Sequence, residues 1–235
     1  MREYLSEGYA VAYVGEGSET TTVRQFARMG IEVGGYIAKS LLTVINRDVF
    51  YSPFLPSKIL LDQWKKLFAS IEKKMESKSL RGFVAIGMPA DSFFLSESDN
   101  RQLVQYESLA AKEYDDGSLE AMCLYTAEKI ETMPLRYILV LMNAHKNTGH
   151  RDGSLREWNI NRGLSIIERG LDTALGPQVT EMVKSILVRD FGNNKQLFIL
   201  QPDQFERKLE LLLGAPAAGI VVHHIKKELV KDIAY

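Results

Sequence analysis

The sequence has few of the features that mark an extracellular, membrane-spanning or nucleic-acid-binding protein. Its 235 residues include one cysteine, Cys123, so no internal disulfide can form, which is usual in a reducing compartment. No apolar run reaches the 18 residues of a membrane span, and the N-terminus has no apolar signal core. Because 29 Lys and Arg balance 30 Asp and Glu, the charge gives no reason to expect a nucleic-acid or membrane partner. We expect a cytoplasmic protein.

The chain also lacks the short motifs of nucleotide, metal and hydrolase chemistry. No Gly-Lys pair occurs, so the phosphate-binding loop that places a lysine before Ser or Thr is missing. The turn Gly15-Glu16-Gly17 has no third glycine of a dinucleotide fingerprint. No His-Glu-x-x-His, Cys-x-x-Cys or Gly-x-Ser-x-Gly pattern is present. We therefore expect no cofactor, no metal and no catalytic residue.

What is present is a regular alternation of strand and helix patterns. Apolar runs typical of strands lie at residues 9–14, 41–49, 82–88 and 119–125, and helical stripes lie between them, as at 57–76 and 99–114. Strands that alternate with helices longer than ten residues indicate crossover units and a mainly parallel sheet. This pattern predicts an α/β domain over residues 1–150.

The composition changes after the polar segment 147–153, which contains two glycines. No strong strand pattern follows it, and Ser154-Leu-Arg-Glu157 has the form of a capping box that begins a helix. Four apolar stripes at helical spacing follow, so we expect a small all-α domain over residues 154–235.

Candidate site residues come from the places where the predicted strands end. Ligands of open parallel sheets bind at the carboxyl ends of the strands. The sequence predicts a small-molecule pocket formed by Glu107, Cys123, Tyr125 and His145, with Tyr51 and Met88 at its edge. A buried Glu107 would need a polar partner, and Tyr125 or His145 is the candidate. The alternative that each residue is independently structural stays open.

The order of several short motifs resembles one known family, the methanogen/methylotroph, DcmR-type sensory (MEDS) domain. The resemblance covers about residues 4 to 146 and is carried by Gly82–Met88, Gln105-Tyr106-Glu107, Cys123-Leu124-Tyr125, His145 and Ala27–Ile31. It implies a degenerate three-layer RecA/KaiC-like fold without a phosphate loop. It also implies a sensor of small organic molecules of the kind found in transcription regulators and signalling proteins.

The resemblance also implies how the ends of the chain compare with the family. The family normally begins with an extra strand and helix, so we expect an N-terminal strand to be missing and residues 2–7 to be only the end of that helix. The C-terminal part is similar to small helical output domains fused to such sensors in archaea, which supply an architecture rather than an activity.

The hypothesis that follows is a non-enzymatic, ligand-responsive signalling or regulatory protein. One alternative is an enzyme that uses Cys123 or Glu107 with His145, and another is a DNA-binding transcription regulator that reads DNA through its C-terminal helices. Expected partners are a small organic ligand and a downstream regulatory protein.

A homodimer is expected from the last helix and from the sheet edge left by the missing strand. Apolar residues on more than one face of that helix suggest contact beyond its own domain; they are Ala218, Ile220, Val221, Val222, Ile225, Leu229 and Ile233.

Overall fold

The computed structural model describes residues 1–51, 55–75, 80–87, 97–114, 120–149 and 155–232. These residues form two compact units, Met1–Tyr125 and Thr126–Tyr235. The first unit is mixed α/β, and the second is helical apart from one short hairpin. Within the described residues, none of the helices combines the length and the apolar character that a membrane crossing requires.

The first unit contains a four-stranded parallel sheet in the order β2-β1-β3-β4. Its elements are α1 (Arg2–Ser6), β1 (Ala10–Gly15), α2 (Glu19–Arg28), α3 (Gly34–Ala38), β2 (Leu42–Asn46), α4 (Arg47–Phe50), α5 (Ser57–Met75), β3 (Phe83–Gly87), α6 (Glu97–Glu113) and β4 (Glu120–Cys123). The register pairs Gly87 with Cys123, so β3 and β4 end together. The predicted α/β class with a parallel sheet is confirmed.

Helices cover both faces of the sheet because successive strand residues point to opposite sides. On one face, Val11 and Val84 pack with Leu5 of α1 and Phe26 of α2 in a buried apolar cluster. On the other face, the ring of Phe68 in α5 lies 5.6 Å from that of Phe83. The sheet and its two helical coverings make three layers.

The second unit is built around the contact between its two longest helices. Its elements are α7 (Ala127–Thr132), α8 (Leu135–Ala144), β5 (Asn147–Gly149), β6 (Leu155–Glu157), α9 (Ile160–Leu175), α10 (Pro177–Asp190), α11 (Leu197–Leu200), α12 (Pro202–Leu213) and α13 (Ala215–Asp232). Gly170 of α9 lies against the backbone of α13, since a Cβ there would stand 2.6 Å from the Cα of Ile225. This glycine permits the close approach of α9 and α13.

The division between the two units falls earlier than the domain boundary expected near residue 150. The reason is that α8 packs within the second unit. Its residue Arg136 donates from the backbone to Glu206 of α12 at 3.1 Å and from the guanidinium at 2.9 Å. The side chain of Asn143 also donates to the carbonyl of Ile199 at 3.2 Å.

The capping box expected at 154–157 is wrong in its described part. Leu155–Glu157 is a strand that pairs antiparallel with Asn147–Gly149, and Ser154 lies outside the described residues. The helix begins at Ile160 instead, where the side chain of Asn159 accepts a hydrogen bond from the backbone N–H of Arg162. Strands of three residues are too short to show an alternating pattern, so no sequence pattern indicates the hairpin.

Most of the apolar residues of α13 are buried against other helices of the second unit. Val221, Ile225 and Leu229 are fully buried, and Ala218 is almost so. Ile220 is exposed, and Ile233 lies outside the described residues. Most of the apolar residues that suggested a contact beyond the domain therefore belong to the core of the second unit. The homodimer stays a prediction.

Candidate functional site

Aromatic side chains from α4, α5 and α6 form a buried cluster on the α5/α6 face of the sheet. The ring of Phe50 lies 4.6 Å from that of Trp64, and the ring of Tyr51 lies 5.9 Å from that of Tyr106. The indole N–H of Trp64 donates to the hydroxyl of Tyr106 at 2.7 Å. Because Tyr106 is held this way, the next residue of α6, Glu107, is fixed in position beside the carboxyl end of β4.

The carboxylate of Glu107 is the centre of the site. Glu107 is only 4% exposed. Its Oε1 accepts a hydrogen bond of 2.9 Å from the hydroxyl of Tyr125, and its Oε2 accepts one of 3.3 Å from the thiol of Cys123. Cys123 is the last residue of β4, and Tyr125 lies two residues beyond it. A buried carboxylate needs such donors, and Tyr125 is one of the two partners that the sequence offered for Glu107, the other being His145.

A glycine makes room for a third phenol at the same edge. Gly87 is the last residue of β3 and lies beside Cys123 in the sheet. A Cβ at Gly87 would stand 2.5 Å from the hydroxyl oxygen of Tyr51. The absent side chain therefore leaves the space that the Tyr51 hydroxyl fills. The sequence analysis did not predict this role of Gly87. The only sequence signal for it is the position of Gly87 at the end of a predicted strand.

The titrating groups around Glu107 are held in their neutral forms. Burial is the largest cause that raises the pKa of Cys123 and of Tyr125 well above the usual values, and the negative charge of Glu107 is the next. Burial also raises the pKa of Tyr51 and of Tyr106 well above the usual value, and the negative charge of Glu107 adds to the rise. The hydrogen bonds that Tyr106 makes with Tyr51 and Trp64 act in the opposite direction on its pKa. At neutral pH the site thus presents one thiol and three phenols as hydrogen-bond donors.

The first unit brings together four of the six residues predicted for the site, namely Tyr51, Glu107, Cys123 and Tyr125. Met88 lies outside the described residues. His145 belongs to the second unit, where it follows α8 with its Nδ1 2.7 Å from the carbonyl oxygen of Leu141. The assignment of His145 to the pocket stays a prediction.

Two side chains of the first unit that can ligate a metal ion lie together at this edge, since the thiol of Cys123 is 3.3 Å from Oε2 of Glu107. Zinc sites in proteins use three or four such ligands. The expectation that no metal binds here stays a prediction.

Comparison with known proteins identifies one family. A family model described as "MEDS: MEthanogen/methylotroph, DcmR Sensory domain" matches residues 1–145. The match covers the whole first unit and continues through α7 and α8 of the second, ending at His145. Searches of curated proteins and of solved structures gave no match.

Proposed function

Because the chain belongs to the MEDS family, whose model matches residues 1–145, we propose that it is a ligand-responsive signalling protein without catalytic activity. Its signal is a small organic molecule that binds around Glu107, Cys123 and Tyr125, with Tyr51 nearby and with His145 and Met88 as further candidates. The first unit would be a RecA-like sensory fold without a phosphate loop. The C-terminal helices would serve output or assembly, acting on a regulatory protein in the cytoplasm or through a homodimer.

The observation that carries this proposal is the buried carboxylate at the carboxyl edge of the sheet. Burying a charged group is costly, and an apolar residue of similar size would avoid that cost. Glu107 lies where parallel sheets bind their ligands, among neutral donors that a ligand can replace. A small molecule with its own N–H or O–H donor could bond to Glu107 while its apolar part meets the aromatic rings.

Two observations support the proposal against the other functions. The raised pKa of Cys123 keeps the thiol protonated, whereas a nucleophilic cysteine needs a lowered pKa. DNA binding through the C-terminal helices would require a basic surface, but residues 154–235 contain 11 Lys or Arg and 10 Asp or Glu, a net of 11 − 10 = +1.

The experiment is a thermal-unfolding screen of the full chain against short-chain alcohols, amines and ketones. A compound present at about 100 times its dissociation constant stabilises the folded protein by about 2.7 kcal/mol, which is a clear rise in Tm. The Glu107→Gln variant keeps the size of the side chain but loses the charge, and it should lose the response. Glu113→Gln, at the exposed end of the same helix, is the matched control and should respond like the wild type.

The proposal fails if the compounds that stabilise the wild type stabilise Glu107→Gln equally, because binding would then lie elsewhere. The claim that the protein is not an enzyme has its own test. Cys123 should react with a thiol reagent at pH 7 more slowly than a free cysteine does, and faster reaction would favour the enzyme alternative.

A further inference from the structure

A groove lies in the first unit, between the beginning of α5 and the first turns of α6. It is an open groove of about 470 Å³. This volume is within the range of about 300–1,000 Å³ that small-molecule sites occupy. The walls include Leu55, Lys58, Arg101, Gln102, Gln105 and Leu109. None of these residues belongs to the cluster around Glu107.

Two positive charges face this groove from opposite walls. Lys58 comes from α5 and Arg101 from α6, and both are exposed. Considering only the residues that the structure describes, neither side chain has a carboxylate within 4.0 Å. Lys65, another exposed cation of α5, does have one, since it pairs with Glu113 at 2.5 Å. The groove therefore combines an excess of positive charge with space for a ligand.

The floor of the groove is held by hydrogen bonds between its walls. The side-chain amide of Gln102 donates to the carbonyl of Leu55, and the carbonyl of Gln102 accepts from the hydroxyl of Ser57 at 3.4 Å. These bonds tie α6 to the start of α5, the two elements that carry the cations. Leu55 and Leu109 add apolar surface beside them.

We propose that this groove is a second binding site and that it takes a small organic anion. The anionic head, a carboxylate or a phosphate monoester, would lie between Lys58 and Arg101, because a guanidinium bonds both groups through two parallel N–H donors. The apolar part of the molecule would lie on Leu55 and Leu109. This site goes beyond the proposed sensory pocket, which lies on the other side of α6 around Glu107.

The test is isothermal titration of the full chain with three probes: benzoate, phenyl phosphate and inorganic phosphate. The wild type should bind benzoate, phenyl phosphate or both in a saturable manner. The double variant Lys58→Gln, Arg101→Gln should bind about tenfold more weakly or worse, because it loses two charge-assisted contacts. The control is Lys66→Gln, Lys112→Gln, which removes two positive charges from the same two helices outside the groove and should bind like the wild type.

The probes separate the two possible head groups, since benzoate carries only a carboxylate and phenyl phosphate only a phosphate. Saturable binding of inorganic phosphate alone would overturn the proposal, because the apolar part would then have no role. An equal loss of affinity in the two double variants would overturn it as well, since the effect would reflect net charge. Each variant should first show the wild-type Tm in the absence of ligand. If the double variant in the groove has a lower Tm, the single variant Arg101→Gln replaces it.

Discussion

The indole N–H of Trp64 donates a hydrogen bond of 2.7 Å to the hydroxyl of Tyr106, which lies 42 residues further along the chain. Both side chains are only 4% exposed, so water cannot readily replace either partner. The bond joins α5 to α6 directly before Glu107. The position of the carboxylate at the centre of the candidate site therefore depends on this pair.

Tyr106→Phe should lower the free energy of unfolding by about 1–3 kcal/mol, because the buried N–H of Trp64 loses its acceptor and the hydrogen bond between Tyr106 and Tyr51 is lost as well. Urea unfolding followed by circular dichroism measures the change. Tyr13→Phe, on the other face of the sheet, removes a half-buried hydroxyl and should change the stability by less than about 0.5 kcal/mol. If Tyr106→Phe costs as little as Tyr13→Phe, the buried hydrogen bonds of the Tyr106 hydroxyl contribute nothing to stability.

The bond between Tyr125 and Glu107 should appear as a coupling energy in a double-mutant cycle. Tyr125→Phe and Glu107→Gln each weaken a buried, charge-assisted hydrogen bond, so each should destabilise the protein by about 1–3 kcal/mol. The double variant should be less destabilised than the sum by about 0.5–3 kcal/mol, as is found for residues in direct contact. Additive effects within about 0.3 kcal/mol would show that the two side chains do not interact in solution.

The sequence predicted well the elements that have a long apolar pattern. These are a helix of several turns and a fully apolar strand. The helix expected at 57–76 is Ser57–Met75, and the apolar strand expected at 82–88 is Phe83–Gly87. The hairpin of β5 and β6 could not be predicted because each strand has three residues. The position of α8 also depends on long-range packing with α12, which no local pattern encodes.

The site residues that lie at strand ends could be predicted from the sequence. Those that depend on contacts between helices could not. Cys123 and Tyr125 come at the end of a predicted strand, and parallel sheets bind ligands there. The bond between Trp64 and Tyr106 joins two helices, and nothing near either residue in the sequence indicates the other. The role of Gly87 was missed because Tyr51 fills the space beside it. Tyr51 follows β2 and α4, whereas Gly87 ends β3, so the two residues are far apart in the sequence.

Gly87→Ala should destabilise the protein by about 1–3 kcal/mol through overpacking. The new Cβ would stand 2.5 Å from the hydroxyl oxygen of Tyr51, and this side chain is buried between aromatic rings that restrict its movement. Removing the hydroxyl with Tyr51→Phe should relieve the clash, so the double variant should be more stable than the sum of the single changes predicts. If the double variant is only as stable as the sum of the single changes predicts, the strain does not come from the contact between the new Cβ and the Tyr51 hydroxyl.

Two glycines of the second unit should respond in opposite ways to alanine. At Gly170 a Cβ would lie 2.6 Å from the backbone of Ile225, and the cost of overpacking, about 1–3 kcal/mol, should exceed the gain in helix propensity of about 1 kcal/mol. At Gly219 in α13 the described residues, apart from the neighbouring backbone of the same helix, have no atom within 4 Å of the new Cβ, so only the propensity gain should remain. Thermal unfolding should therefore show a lower Tm for Gly170→Ala and a higher Tm for Gly219→Ala. Similar shifts of one sign would contradict the close contact of α9 and α13.

Stability should fall at alkaline pH because the groups around Glu107 must lose protons there. In the unfolded chain a cysteine has a pKa of about 8.5 and a tyrosine of about 10. In the folded protein, burial and the charge of Glu107 raise the pKa of Cys123 and of Tyr125 well above those values. The folded state therefore holds these protons more tightly than the unfolded state does. Their contribution to stability is complete below about pH 8 and is lost progressively as the pH rises past the unfolded values toward the folded ones.

The measurement is the urea midpoint between about pH 7 and pH 11, the interval that spans the unfolded pKa values. Tyr125→Phe should be less stable at pH 7 but should lose less stability on going to alkaline pH, because one of the groups that drives the loss is gone. Phe68→Leu is the control, since it weakens the same face of the sheet but keeps every titrating group, and its loss should match that of the wild type. An equal alkaline loss in Tyr125→Phe and the wild type would show that Tyr125 does not titrate against Glu107 in the folded protein.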